Sequence, residues 1–173
     1  MKRILPLMLA ALITACVIYA AHRGKAAEAP EVPEEIPATE ETEPEYTAEE
    51  LETLAIIIYQ EAGGDNIPDY IREYVGCVVL NRVESEQFPD TIEEVATEKR
   101  QWGLLHWTGI QWPERAESPG ETHAVERARN CAKKLLETPM RPVPTDVLYC
   151  AEFQQGEIWQ HTQNIYFCKG EKR

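Results

Sequence analysis

Basic residues are scarce in this chain. Its 173 residues include 17 Lys and Arg against 30 Asp and Glu, which gives a formal net charge of −13 at pH 7. Proteins that bind nucleic acids neutralise phosphates with clustered Lys and Arg side chains, and no basic stripe occurs in this sequence. We therefore expect no nucleic-acid partner, and no electrostatic steering toward an anionic polymer.

The sequence also lacks the short motifs that mark metal sites. None of its five cysteines forms a CxxC pair, and its four histidines show no HxxxH spacing. Such spacings are typical of zinc sites. We accordingly expect neither a metal ion nor a cofactor.

An apolar segment opens the chain. Residues 4–21 form an uncharged run of 18 residues behind Lys2 and Arg3. This length is just sufficient to span a bilayer and is long for a cleaved signal. Residues 1–24 are therefore predicted to be a membrane anchor or a signal peptide, and Cys16, which ends a lipidation-like sequence, leaves a lipoprotein open. All three alternatives export the remaining residues from the cytoplasm.

An acidic segment follows the apolar one. Residues 25–46 contain eight glutamates, four prolines and almost no side chains to bury. Such a composition does not offset the entropy of ordering, and its charges repel one another. We predict a disordered linker that spaces a globular domain, residues 47–173, from a membrane.

Export permits disulfide bonds. Four cysteines lie in the globular part: Cys77, Cys131, Cys150 and Cys168. We favour a bond between Cys150 and Cys168, which lie in two predicted strands, with Cys77 bonded to Cys131 between helices. Buried free thiols are the alternative.

Capping residues and hydrophobic spacing predict helices followed by strands. Thr47 and Glu50 form a capping-box pattern before the first helix. The predicted helices are 48–62, 69–83, a short one from 91 to about 96, and 121–136, with a loop from 100 to 120. Two strands, 147–153 and 164–168, are predicted to turn at Gln155-Gly156. Helices followed by a small C-terminal antiparallel sheet predict an α+β fold.

One glutamate, Glu61, stands where a carboxylate is hard to ionise. It lies at the edge of an apolar stripe of the first predicted helix, and Gly63 and Gly64 then end that helix. Apolar neighbours and the negative end of the helix dipole both raise a carboxyl pKa. A raised pKa suits a general acid near neutral pH. The alternative is an ordinary surface glutamate near a helix end.

Seven short segments can be read together. They are residues 58–65, 78–83, 88–95, 101–102, 147–150, 153–156 and 166–168. In this order they resemble the cell-wall hydrolase family typified by the spore-cortex-lytic enzyme SleB, over about residues 51–168. The resemblance implies a compact, mostly helical α+β domain, similar to lysozyme and lytic transglycosylases, that cleaves peptidoglycan.

The resemblance also implies roles for individual residues. Glu61 matches the family's catalytic glutamate, the first residue of a Glu-Ala-x-Gly-Glu motif. The last acid of that motif is Asp65 here, and the often basic middle position is Gly63. Gln101 and Trp102 match the family's pair of a glutamine and an aromatic residue.

Sugar sites present aromatic faces and amide groups. Gln101 and Trp102 are therefore predicted to bind substrate on one side of a cleft. Tyr149 and Gln154 are predicted to line the opposite wall of that cleft. The alternative for the aromatic residues is core packing.

The number of carboxylates favours one reaction. A glycoside hydrolase uses two, and only Asp65 lies close to Glu61 in sequence. A lytic transglycosylase requires one acid, because the muramyl C6 hydroxyl attacks the anomeric carbon. We predict this reaction at the MurNAc–GlcNAc β-1,4 bond of peptidoglycan glycan strands, by a monomer.

Three alternatives stay open. They are a hydrolytic muramidase with Asp65 as its second acid, a non-catalytic membrane-tethered peptidoglycan-binding module, and a zinc amidase. The target is also open among vegetative wall, spore cortex and a host wall during phage release.

Overall fold

The computed structural model describes residues 45–99, 101–102 and 105–170. The predicted anchor or signal, residues 1–24, and the predicted linker up to residue 44 lie outside the described residues. In chain order the elements are α1 (Ala48–Ala62), α2 (Asp69–Val83), α3 (Ile92–Thr97), α4 (Leu105–Thr108), a 3-10 helix (Glu114–Glu117), α5 (Thr122–Glu137), β1 (Val147–Ala151), β2 (Ile158–Thr162) and β3 (Ile165–Lys169).

The predicted α+β class is confirmed. Helices occupy the first part of the described chain, and a three-stranded antiparallel sheet follows them. No helix within the described ranges is long and apolar enough to cross a membrane.

The start of α1 is fixed by the predicted capping box. The backbone N–H of Glu50 donates to Oγ1 of Thr47 at 3.1 Å, and the backbone N–H of Thr47 donates to Oε2 of Glu50 at 2.7 Å. These two bonds satisfy donors that have no partner inside the helix. The helix begins at Ala48 and ends at Ala62, the predicted bounds.

Helix α1 is the centre of the core. Every residue from Thr53 to Tyr59 is buried, so the helix is covered on all faces and not on the single stripe that its spacing predicted. It packs against both α2 and α5. A Cβ atom at Gly76 of α2 would lie 2.9 Å from Cδ1 of Ile58 and closer still to Leu135 of α5. A glycine therefore lets the three helices meet.

The sheet has one strand more than the sequence predicted. Its order is β1-β3-β2, with both neighbouring pairs antiparallel. The predicted hairpin turn at Gln155-Gly156 is wrong, because the tight turn is Gln163-Asn164 between β2 and β3. Both turn residues have positive φ, 49° and 62°, as in the type I′ turns that match strand twist. Strand β1 also ends at Ala151 and not at Phe153.

Two side chains near the end of α2 join the helices to the sheet. Nδ2 of Asn81 donates to the carbonyl groups of Pro144 at 2.8 Å and Val147 at 3.0 Å. Nε of Arg82 donates to the carbonyl oxygen of Leu148 at 2.7 Å. Both side chains are buried, so these bonds fix β1 against α2.

The segment predicted as a loop from 100 to 120 contains α4 and the 3-10 helix. Each has four residues. Elements this short show too little periodicity to be recognised in sequence.

Candidate active site

Glu61 lies in the last turn of α1 and lines a cleft of about 230 Å³. The other polar residues of its lining are Glu152, directly after β1, and Gln163 and Asn164 of the β2–β3 turn. Apolar side chains, among them Val75 of α2, form the remaining walls. The cleft thus lies where the end of α1 meets one end of the sheet.

The position of Glu61 depends on the glycine two residues later. A Cβ atom at Gly63 would collide with the carbonyl oxygen of Tyr59 and lie 3.0 Å from Cδ2 of its ring. A side chain at Gly63 would force this backbone to shift, so the glycine preserves the observed helix end directly behind Glu61. The carboxyl group therefore stands at the negative end of the α1 dipole.

The surroundings of Glu61 raise its pKa. Burial is the largest cause, the charge of Arg82 opposes it, and the charge of Glu152 raises the pKa further. Glu61 is nevertheless exposed to solvent. The two observations agree if the carboxyl group faces an open cleft whose walls remove much of its hydration. Substrate can then reach an acid that keeps its proton to higher pH.

Arg82 is a fixed cation near Glu61. Its side chain is 2% exposed, and its guanidinium lies 4.7 Å from the ring centroid of Trp102 and 4.8 Å from that of Phe88. Stacking on aromatic faces and the bond to Leu148 hold it in place. A rigid charge of this kind limits how far the pKa of Glu61 rises.

The predicted aromatic substrate residues surround Arg82. Trp102 is 2% exposed, so its ring has no free face for a sugar. Tyr149 is half-buried, with its ring 5.6 Å from the Arg82 guanidinium and 6.1 Å from the Phe88 ring. Trp102 therefore packs in the core, which was the alternative to substrate binding.

The two predicted amide residues also lie away from the lining of the Glu61 cleft. Gln101 is half-buried behind α3, and its backbone N–H donates to the carbonyl of Glu98 at 3.3 Å. Nε2 of Gln154 donates to the carbonyl of Gly156 at 2.8 Å. Substrate contact by Gln101, Tyr149 and Gln154 stays a prediction.

The acid nearest in sequence is not the acid that shares the cleft. Asp65 is 63% exposed, and its Oδ1 lies 3.6 Å from Nδ1 of His123. Glu152 lines the cleft with Glu61, although it lies far away in sequence. Glu152 fell inside the predicted strand 147–153, so the sequence carried no local signal that it lines a cleft; the observed strand ends one residue earlier, at Ala151. Gln163 and Asn164 were missed because the third strand was missed.

The four described cysteines are free thiols. In the β1–β3 pair, Cys150 lies opposite Phe167 and Cys168 lies opposite Tyr149. Directly opposite residues share a face of a sheet, so Cys150 and Cys168 lie on opposite faces. This register disfavours the predicted bond between them. Cys77 and Cys131, the other predicted pair, are buried thiols of α2 and α5.

No group of three His, Cys, Asp or Glu side chains that could hold a metal ion occurs in residues 45–99, 101–102 and 105–170. The polar lining of the Glu61 cleft consists of two carboxyl groups and two amides. Such a set is suited to proton transfer and to hydrogen bonds with hydroxyl and amide groups.

The fold and the cleft together describe a small α+β domain with two carboxyl groups in one open cleft. Residues 72–169, more than half of the chain, match the family Cell Wall Hydrolase, and the chain belongs to this family. No curated protein and no solved structure matches it. Family membership supports a hydrolytic function on peptidoglycan, outside the cytoplasm. Glu61 precedes the matched segment, whereas Arg82 and Glu152 lie within it.

Proposed function

We propose that the protein cleaves peptidoglycan glycan strands at the β-1,4 bond between MurNAc and GlcNAc, with Glu61 as the general acid. The setting of Glu61 carries this proposal: a carboxyl group of raised pKa lines an open cleft. Membership of the Cell Wall Hydrolase family supports the choice of substrate.

Glu61 supplies the proton that the reaction requires. Breaking a glycosidic bond leaves a negative charge on the departing oxygen while an oxocarbenium-like centre forms at C1. Glu61 gives its proton to O4 of GlcNAc as the C1–O4 bond breaks. Its raised pKa keeps more of the group protonated near neutral pH, where a general acid is effective.

The reaction then ends by transglycosylation. The C6 hydroxyl of MurNAc attacks C1, the C1–O6 bond forms, and the hydroxyl proton passes to the Glu61 carboxylate. The acid is regenerated, and the product is a 1,6-anhydro sugar. This sequence requires one titrating carboxyl group, and the resemblance to SleB-type enzymes supports it.

Hydrolysis is the second candidate, and one observation favours it. A water molecule in place of the C6 hydroxyl commonly requires a second carboxylate. Asp65, the acid that the sequence suggested, lies beside His123 and is not part of the cleft lining. Glu152, however, lines the cleft. The two reactions differ in product, since hydrolysis leaves a reducing MurNAc end.

A binding module without activity is the third candidate. The amides of Gln163 and Asn164 at the cleft are suited to hydrogen bonds with sugar hydroxyl and acetamido groups.

In every case we infer that residues 1–24 export or anchor the chain, and that residues 25–46 space the domain, residues 47–173, from the membrane. The domain acts as a monomer.

Mass spectrometry of the muropeptides released from purified peptidoglycan tests the proposal. We expect wild-type protein to release anhydro-muramic products and Glu61→Gln to lose roughly 100-fold or more of the rate, because the amide has no acidic proton. Asp65→Asn is the matched comparison and should retain activity, because Asp65 lies outside the cleft lining.

Each other product pattern contradicts part of the proposal. Reducing muramic ends without anhydro sugars would replace transglycosylation by hydrolysis. Unchanged turnover by a folded Glu61→Gln protein would remove Glu61 from the acid role. Binding to insoluble peptidoglycan with no released fragments would leave only the binding module.

A further inference from the structure

The cleft contains a second carboxyl group to which family membership assigns no role. Glu152 directly follows β1, whereas Glu61 ends α1, so two elements distant in sequence bring the two groups to one cleft. The bond between Arg82 of α2 and the carbonyl of Leu148 fixes β1 against the helices. The approach of Glu152 to Glu61 is therefore a consequence of the fold.

The Glu152 carboxylate has no partner among the described residues, by hydrogen bond or ion pair. Glu157, in the same connection between β1 and β2, differs in this respect. Its Oε1 lies 2.7 Å from Nζ of Lys169. An exposed carboxylate that lines a cleft without a cationic partner leaves its charge available to a bound molecule.

We propose that Glu152 is a second catalytic residue, whose carboxylate faces the anomeric carbon and stabilises the positive charge that develops on the sugar. This inference rests on the proposed function. No bond forms to Glu152 and no proton moves to it. Glu61 gives its proton to O4 and regains one from the attacking hydroxyl, so the atoms balance without further groups.

The charges around Glu61 support different tasks for the two acids. Arg82 of α2 lowers the pKa of Glu61, and Glu152 after β1 raises it. Cys150 of β1 also faces Glu61, and burial is the main cause that raises the pKa of its thiol to about 12, so the thiol is uncharged at neutral pH. Glu152 thus favours the protonated form of Glu61, and its own negative charge is directed at a site where positive charge appears.

Kinetics of Glu152→Gln in the full-length protein test this role. We expect kcat to fall at least about tenfold with KM nearly unchanged, because the lost interaction acts mainly in the transition state. We also expect the alkaline limb of the pH–rate profile to move to lower pH, because Glu61 loses a neighbouring negative charge. Glu152→Asp should recover part of kcat, and the proportion of anhydro product should not change.

A second readout needs no substrate. Carboxyl-carbon NMR titration should show a lower pKa for Glu61 in Glu152→Gln than in wild type. It separates this inference from the proposed function, since it responds to the two groups even if peptidoglycan is not cleaved. Glu157→Gln is the control, because its carboxylate is held by Lys169, and it should leave both readouts unchanged.

Three results would overturn the proposal. One is an unchanged kcat in Glu152→Gln. Another is a Glu61 titration that Glu152→Gln does not move. The third is a selective loss of reducing-end products, which would make Glu152 the base that activates water.

Discussion

Glu61 is distinguished from the other glutamates of the chain by its surroundings. The half-buried Glu52 lies beside Arg129, whose hydrogen bonds to its carboxylate lower the pKa of that group. Glu61 faces an open cleft in which burial outweighs the opposing charge of Arg82. The same chemical group therefore serves as a surface charge at some positions and as a proton donor at another.

The raised pKa of Glu61 also affects stability. An unfolded glutamate has a pKa of about 4.3, and the folded-state value is higher. Ionisation is therefore harder in the folded state. The stability that this group contributes is full below about pH 4 and is lost as pH rises through the folded-state pKa. We expect Glu61→Gln to be more stable than wild type at pH 7, with a difference that shrinks toward pH 4.

Urea unfolding at several pH values measures this difference. Glu126→Gln, an exposed glutamate of α5, is the control and should change the free energy of unfolding by less than about 0.5 kcal/mol. A Glu61→Gln protein that is less stable than wild type at pH 7 would show that the carboxylate is favourably solvated in the cleft.

Single residues could be predicted from sequence only where their neighbours along the chain make the environment. The helix end and apolar residues around Glu61 are local, and the direction of its pKa shift was predicted. Glu152 reaches the cleft only because β1 is fixed to α2 through Arg82. Trp102 was predicted to bind a sugar ring, but its own ring packs on the Arg82 guanidinium inside the core.

Among the elements, helices were predicted more accurately than strands, for a physical reason. A capping box marks the start of helix α1 in the sequence, and glycine marks its end. Strand β2 has five residues, three of them exposed, and the turn after it is Gln163-Asn164. Two-residue hairpins are usually signalled by glycine, which is absent from this turn.

The Gln163-Asn164 turn gives a test at this scale. A φ of 49° at Gln163 is unfavourable for β-branched side chains. We expect Gln163→Val to lower the free energy of unfolding by about 1–2 kcal/mol. Gln160→Val in β2 is the matched control, because an extended backbone accepts valine, and it should cause no loss. Equal losses in thermal or urea unfolding would contradict the turn geometry.

In the whole molecule, the cleft depends on the junction of two layers. Helix α1 is held by α2 and α5 and carries Glu61, while the sheet is held against α2 by Asn81 and Arg82. These contacts join segments far apart in the chain. For this reason the α+β class could be predicted from the order of elements, whereas the full lining of the cleft could not.

The net charge of the whole molecule affects its association with the cell wall. The chain carries −13, and the stem peptides of peptidoglycan carry carboxylates. The negative charges of the protein and of the wall repel each other over about 30 Å at 0.01 M salt, but over only about 8 Å at 0.15 M salt. We expect the initial rate of wall cleavage to rise roughly twofold to tenfold across this range, since screening removes an unfavourable long-range term in association.

Turbidity loss at a series of salt concentrations measures this rise, with kcat determined separately at saturating substrate. The rise should occur in kcat/KM and not in kcat, because repulsion opposes encounter and not bond cleavage. Peptidoglycan whose stem-peptide carboxylates have been amidated is the control, and its cleavage should depend little on salt. A rate that falls as salt is added to unmodified peptidoglycan would instead reveal an attractive surface for the wall, one that the low content of basic residues does not predict.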